Sequence, residues 1–242
     1  MYLKSIFNFL VIGLLTLTKI NGSDIDFYSG QCREIYVYLE SQGKEENFYN
    51  CGENSKGEVI YLNLYPFCLK NEQLQKVLSY NTISVLDFAM MYGNNNKFMT
   101  KFDCDSLPTN YEVLKTLKNL KELYFDGILD MSNSVFPNIP KSVEILWIGS
   151  EGHPHHLKLT QDMVDGLSKL TNLKSLSIWE TEISENLNFR KFKNLKKLST
   201  LQMAFDEPNF SSIPNYVQGN ILKYCKNLKK LIIENGELMK KV

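Results

Sequence analysis

A heptapeptide, Leu117-Lys118-Asn119-Leu120-Lys121-Glu122-Leu123, recurs in near-copies at residues 170–176 and 225–231 of this 242-residue chain. Each copy contributes to the frame L-x-x-L-x-L, which recurs with conservative apolar substitutions at four further points. The central leucines of the seven frames are Leu62, Leu86, Leu123, Leu146, Leu176, Leu201 and Leu231. Because these leucines recur every 23 to 37 residues, the chain is predicted to be built of stacked repeats.

The two closing apolar positions of each frame are two residues apart, so in a β-strand both side chains point inward and their neighbours point outward. One strand and one helix cannot cover their own apolar face, whereas stacked units bury a continuous core beneath a parallel sheet. Helical periodicity at residues 71–78, 111–117, 160–170 and 216–224 predicts the layer opposite the sheet. The pattern therefore predicts an α/β fold of about seven repeats.

The frame resembles that of leucine-rich repeats, whose units run about 20 to 29 residues. The resemblance covers residues 59–236 and implies a solenoid with a curved parallel sheet on its concave side and helices and loops on its convex side. That family usually places Asn or Cys three residues after the frame. Here those positions are Phe67, Met91, Ile128, Glu151, Thr181, Asp206 and Gly236. We therefore expect an irregular solenoid that lacks this side-chain ladder.

The N-terminus is typical of a secretory signal, because Lys4 precedes an apolar run at residues 6–15 and the small residues Gly22-Ser23 follow. We expect residues 1–22 to be removed and the mature protein to be extracellular. A transmembrane helix takes about 20 apolar residues, so the run is short for one. An uncleaved anchor, which would place the protein on a membrane, is the alternative.

Residues 23–58 are predicted to cap the core, and residues 59–242 to form the repeat domain. Thiols pair in an oxidising compartment, and four cysteines lie before residue 105: Cys32, Cys51, Cys68 and Cys104. Three connectivities are possible, and we favour Cys32 with Cys51 and Cys68 with Cys104. Cys225 is predicted to be unpaired and buried. The segment resembles the cysteine-bearing cap of extracellular plant-type and fungal leucine-rich-repeat proteins.

The composition favours neither catalysis nor nucleic-acid binding. The 27 basic and 27 acidic side chains cancel, so the excess positive charge of a nucleic-acid binder is absent. The chain contains no G-x-S-x-G, H-E-x-x-H or glycine-rich phosphate-loop motif. His153, His155 and His156 have no fourth ligand at a zinc spacing, so we expect a solvated loop. We predict no enzyme, no metal and no cofactor.

Two surface features concern glycosylation and the ligand. Asn209-Phe210-Ser211 fits the acceptor pattern for N-glycosylation, whereas the similar pattern at Asn21 leaves with the signal. Alternation along the strands identifies the side chains of the concave face. The candidate ligand-binding residues are Tyr61, Tyr65, Asp87, Glu122, Tyr124, Asp126, Trp147, Trp179 and Gln202.

The aromatic rings are the strongest indication of a ligand. A tryptophan outside the core exposes a large apolar face that a partner usually covers, and Tyr124, Trp147 and Trp179 come from successive repeats. With strands about 4.8 Å apart, Trp147 and Trp179 are expected roughly 8 Å apart. The alternative is that the rings stack on one another merely to cover the sheet.

Aromatic faces flanked by acids and amides suit a sugar ring or a peptide with basic residues. The sequence therefore predicts a secreted, non-catalytic recognition module that binds a protein, peptide or polysaccharide through the concave face. A second hypothesis is a structural protein that assembles through its C-terminal end, since no cap is evident after the last frame.

Overall fold

A computed structural model describes residues 28–88, 108–126, 135–149, 157–183, 187–205, 221–235 and 238–241. The strands are β1 Phe48–Glu53, β2 Val59–Leu64, β3 Val85–Phe88, β4 Glu122–Asp126, β5 Ile145–Gly149, β6 Leu157–Leu159, β7 Ser175–Ile183, β8 Thr200–Phe205, β9 Lys230–Asn235 and β10 Leu238–Lys241. The α-helices are α1 Gly30–Ser41, α2 Asn71–Val77 and α3 Gln161–Leu167, and residues 221–224 are also helical. The 3₁₀ helices are Glu45–Asn47, Glu112–Thr116, Phe136–Asn138 and Phe189–Asn194.

All ten strands belong to one sheet, in the order β1-β2-β3-β4-β5-β7-β8-β9-β10, with β6 paired to β7. The strands from β2 to β9 pair in parallel, and β1 and β10 pair antiparallel at the two ends. The seven central leucines are in register from Leu62 to Leu231. The predicted parallel sheet, with the central leucines of the frames side by side, is therefore confirmed, and the architecture is α/β.

The core lies between the sheet and the helices. The last apolar residue of each of the first six frames is no more than 1% exposed. The last apolar residue of the seventh frame, Ile233, is 3% exposed. Leu74 of α2, Val164 of α3 and Phe189 of a 3₁₀ helix are fully buried against the same core. Inward-facing leucines and helix residues thus form the continuous apolar layer that stacked repeats require.

A backbone ladder fixes the register at the entry to each strand. The carbonyl of Ser84, two residues before Leu86, accepts hydrogen bonds from Lys121 N at 2.7 Å and Glu122 N at 3.1 Å. The same pair of bonds recurs at the carbonyls of Lys121, Glu144, Lys174 and Ser199. Residues at this position therefore stack directly on one another along the sheet.

Asparagines from the repeated heptapeptide form a second ladder. Asn119 Nδ2 donates to Asn81 O at 3.0 Å, Asn172 Nδ2 to Lys141 O at 2.9 Å, and Asn227 Nδ2 to Lys196 O at 2.6 Å. Each asparagine lies four residues before its central leucine. Each of these asparagines therefore joins its repeat to the preceding one.

The N-terminal segment forms a cap in which α1 packs on β1. Cys32 of α1 and Cys51 of β1 form the predicted disulfide. Asn47, fully buried, donates to the carbonyls of Tyr65 and Phe67, at 2.6 Å each, and so ties the cap to the end of β2. Cys68 is also disulfide-bonded, and its predicted partner, Cys104, lies outside the described residues.

Three local expectations need correction. Residues 48–53, predicted only as part of the cap, form strand β1. Residues 112–116 form a 3₁₀ helix rather than an α-helix, because this segment is short and ends at the turn before β4. The last frame strand does not leave its edge open, since β10 pairs with β9 from Asn235 to Ile232.

Several sequence predictions lie outside the described residues: the signal at residues 1–22, the histidines at 153, 155 and 156, and Asn209. Cys225 is free and buried, as predicted, and its burial raises the pKa of the thiol to about 11. The longest helix in the described part has 12 residues, and none there combines the length and apolarity needed to cross a bilayer.

Candidate ligand-binding face

The side chains that alternate with the core residues form two rows on the other side of the sheet, here called the outward face. The first row is Tyr61, Val85, Glu122, Ile145, Ser175, Thr200 and Lys230. The second row is Asn63, Asp87, Tyr124, Trp147, Ser177, Gln202 and Ile232. Strand register therefore brings most of the predicted ligand-binding residues onto one surface.

Five of these residues, Tyr61, Asn63, Asp87, Glu122 and Tyr124, form what we call the acid–aromatic cluster. Asn63 Nδ2 donates to Asp87 Oδ2 at 2.9 Å and lies 3.3 Å from Tyr61 Oη. The phenol of Tyr124 donates to Glu122 Oε2 at 2.6 Å. Two carboxylates are thus held among two phenol rings by hydrogen bonds from neighbouring side chains, which fixes their orientation.

Burial and negative charge both act on the tyrosines of the cluster. Burial, followed by the carboxylate of Asp87, raises the pKa of Tyr61 to about 12. Burial also raises the pKa of Tyr124 well above its usual value, and the hydrogen bond to Glu122 adds to the effect. Both phenols therefore stay protonated at neutral pH, and the negative charge of the cluster comes from its carboxylates.

Asn63 belongs to the outward face but was not among the predicted ligand-binding residues. It is only 5% exposed, and its Oδ1 is buried without a hydrogen-bond partner among the described residues. A buried acceptor left unpaired costs free energy, so it favours a donor supplied from elsewhere. Sequence alternation located the residue, but no pattern in the sequence indicated its unpaired oxygen.

Tyr65 does not belong to the accessible face. It is 6% exposed, because it follows β2 and its ring packs edge-on against Tyr49 of the cap, with the centroids 5.3 Å apart. Burial raises the pKa of its phenol. The prediction that Tyr65 contacts ligand is therefore wrong. Its side chain packs between the cap and the first repeat instead.

The two tryptophans occupy different surroundings. Trp147 lies in register between Tyr124 and Ser177 and is half-buried. Trp179 follows a register shift in β7, and a Cβ added at Gly149 would lie 2.6 Å from the Cβ of Trp179. Trp179 thus covers Gly149, and its Nε1 is buried with no partner among the described residues. Only Trp147 extends the acid–aromatic cluster in register.

The far half of the outward face is different. Gln202 is half-buried between Ser177 and Ile232, whereas Ala204 and Ile232 are only 2% and 8% exposed. Asp126 ends β4 in register with Gly149, and its side chain lies outside the described part. The polar aromatic surface is therefore concentrated on β2 to β5.

The cluster has the chemistry of a site for cations. Carboxylates beside tyrosine and tryptophan rings bind ammonium and guanidinium groups through charge-assisted hydrogen bonds and cation–π contacts. The only basic residue in either row is Lys230, on β9. Within the described ranges, no three His, Cys, Asp or Glu residues are grouped as metal ligands would be.

No protein-family model matches the chain, and no curated protein matches it. Among solved structures, the chain is similar to an internalin C2 from Listeria monocytogenes, with 17% sequence identity, 74% of this chain and 81% of that chain covered, and a TM-score of 0.36. The description of the fold therefore rests on the strand register and the buried frame.

Proposed function

We propose that this protein is a secreted, non-catalytic recognition module that binds a basic segment of a protein or peptide on its outward face. The supporting observation is the acid–aromatic cluster, in which Asp87 and Glu122 are held by Asn63 and Tyr124. An arginine or lysine side chain entering the cluster would meet the carboxylates of Asp87 and Glu122. Trp147 lies beside Tyr124 in the second row and supplies an apolar face for the rest of the peptide.

Pre-organisation is the reason to expect useful affinity from so few residues. Side chains that are already half-buried and hydrogen-bonded lose little conformational entropy when a ligand arrives. Interfaces also concentrate their binding energy in such desolvated aromatic and charged positions. The cluster thus has the composition of a binding hot spot, whereas the serines of β7 do not.

The test is selection from a library of displayed peptides, followed by affinity measurement for the peptides obtained. We expect enrichment of arginine and lysine, and at least tenfold weaker binding by the double variant Asp87→Asn with Glu122→Gln. The matched control, Glu40→Gln with Glu72→Gln, removes two exposed acids elsewhere and should bind normally. Equal affinity in both variants, with unchanged melting temperatures, would contradict the proposal.

Two further measurements would distinguish the alternatives, which are polysaccharide binding and self-assembly. Saturable binding to a neutral glycan that the Asp87→Asn, Glu122→Gln variant retains would favour a polysaccharide on the ring faces instead. For the assembly hypothesis, the terminal strand of the sheet at this end is β10, which pairs with β9. Light scattering that gives a defined oligomer or growing polymer at micromolar concentration would support assembly, whereas a monomer supports recognition.

A further inference from the structure

A second charged surface follows the turns that lead into the strands. Counting back from the central leucine of the third to the seventh repeat, positions two, five and eight residues earlier give fifteen sites. Lysine occupies ten of them: Lys115, Lys118, Lys121, Lys141, Lys174, Lys193, Lys196, Lys223, Lys226 and Lys229. We call these ten residues the lysine edge.

Hydrogen bonds show that the positions two and five residues before the leucine are equivalent in space from repeat to repeat. Leu120, Val143, Leu173, Leu198 and Leu228, each three residues before a central leucine, donate to the carbonyl three residues earlier. The residues two before the leucine stack through the backbone ladder described above. Lys118 and Lys141, and likewise Lys196 and Lys226, occupy equivalent positions in neighbouring repeats, so their backbones lie one strand spacing, roughly 4.8 Å, apart.

The lysine edge is exposed and carries little compensating charge. All ten lysines are exposed, and the only acid among the fifteen positions is Glu144, giving these sites a net charge of +9. Glu144 pairs with Lys121 at 3.4 Å and also with Lys174. Like charges so close together repel one another, which an extended polyanion would relieve by replacing their counterions.

A shallow depression lies at the start of the edge. Its volume is about 340 Å³, and it is lined by Lys115, Lys118, Lys141, Ser142, Ile139 and Pro140. Side chains of three lysines beside the apolar Ile139 and Pro140 suit a sugar ring with anionic substituents. The depression thus adds shape to the charge of the edge.

From this geometry we propose that the lysine edge binds a sulfated polysaccharide, at a site separate from the acid–aromatic cluster. Single-stranded nucleic acid binds to platforms of aromatic rings, and none of the fifteen positions is aromatic. Arginine, which makes the commonest base-specific contacts in DNA grooves, is also absent from them. Lysine is a point charge suited to sulfate groups along a chain.

The test compares two triple variants of the full chain for binding to immobilised heparin at 0.15 M NaCl. The edge variant, Lys118→Gln with Lys141→Gln and Lys196→Gln, should bind about tenfold more weakly or worse, since each lost ionic contact weakens a polyanion complex at this salt. The control, Lys56→Gln with Lys76→Gln and Lys158→Gln, removes the same charge from exposed sites elsewhere and should stay within threefold of the parent. Melting temperatures of all three proteins establish that they are folded.

Three results would overturn the proposal. The first is no binding of the parent protein to heparin, or equal binding to heparin stripped of its sulfates. The second is equal loss in both triple variants, which would indicate bulk charge rather than the edge. The third is tighter binding to duplex DNA of matched length, which would assign the edge to nucleic acid.

Chemical footprinting of the lysines tests the same proposal on the parent protein, without any variant. Lysines of the parent protein are acetylated with and without bound heparin, and mass spectrometry locates the protected residues. Protection should concentrate at Lys118, Lys141, Lys196 and Lys226, while Lys56 and Lys76 react equally in both samples. Uniform protection, or protection confined to residues 28–88, would exclude the lysine edge as the site.

Discussion

The acid–aromatic cluster and the lysine edge come from the same repeats but differ in how their charges are held. In the cluster, half-buried carboxylates, phenols and an amide are joined by hydrogen bonds. On the edge, the lysines are exposed, and Glu144 is the one acid among the fifteen positions that they share. Pre-organised side chains favour a specific ligand, whereas a row of solvated charges favours a long anionic one. A net charge of zero thus conceals two surfaces of opposite sign.

The largest expected effect comes from breaking the layer that supports both surfaces. Leu123→Ala removes a fully buried frame residue between β3 and β5, so unfolding free energy should fall by about 2–5 kcal/mol. Chemical denaturation measures this loss. Lys118→Ala, on the exposed turn of the same repeat, is the control and should change stability by less than about 0.5 kcal/mol. Similar losses in the two variants would mean that the frame is not the core.

A smaller loss of stability is expected where the outward face is closely packed, at the contact between Gly149 and Trp179. Gly149→Ala places a Cβ 2.6 Å from the Cβ of Trp179, so β7 must shift, and we expect a loss of about 1–3 kcal/mol together with a change in tryptophan fluorescence. Gly52→Ala is the matched control, since its added Cβ lies 3.4 Å from the Cβ of Tyr61, an ordinary contact. A neutral Gly149→Ala would show that Trp179 does not cover β5.

The cluster should also give the protein an alkaline pH dependence. Because the folded pKa of Tyr61 is raised to about 12 from an ordinary 10.0, the phenol stabilises the fold below pH 10 and loses that contribution as the pH rises through about 12. Tyr61→Phe should therefore lose less stability than the parent between pH 10 and 12, as measured by urea midpoints at each pH. Lysine titration is common to both proteins. Parallel curves would place Tyr61 in solvent.

The smallest effect should come from the single acid of the edge. Hydrogen bonds from Lys174 and then Lys121 lower the pKa of Glu144, so it is ionised at neutral pH and offsets two lysines. Glu144→Gln should cost at most about 1 kcal/mol, as for surface ion pairs, and should strengthen heparin binding by up to about threefold. Weaker heparin binding by this variant would indicate that Glu144 orients the lysines rather than neutralising them.

Much of the fold could be predicted because its periodicity is local. Alternation at the closing frame positions located the core strands, and the helical spacing of residues 71–78 and 160–170 located α2 and α3. Strand β1 was missed because Asn50 and Gly52 interrupt any apolar alternation, and the cap pairs it with β2 through tertiary contacts. Short segments of this kind depend on their neighbours more than on their own sequence.

The candidate site could be predicted only in outline. Alternation placed Tyr61, Asp87, Glu122 and Tyr124 on one face, but it could not show that Tyr49 covers Tyr65 or that Asn63 is buried. Burial on a face depends on which neighbouring side chains meet there. The lysine edge was hidden for another reason, since its members are spread over more than a hundred residues and cancel in the total charge. It emerges once the repeats are aligned on their central leucines.

The most direct measurement is a crossed comparison, in which each surface variant is titrated separately with the selected basic peptide and with heparin. The Asp87→Asn, Glu122→Gln variant is predicted to lose the peptide and keep heparin, whereas the Lys118→Gln, Lys141→Gln, Lys196→Gln variant is predicted to do the reverse. If either variant weakens both ligands equally while remaining folded, the two surfaces do not act as separate sites and the account is wrong.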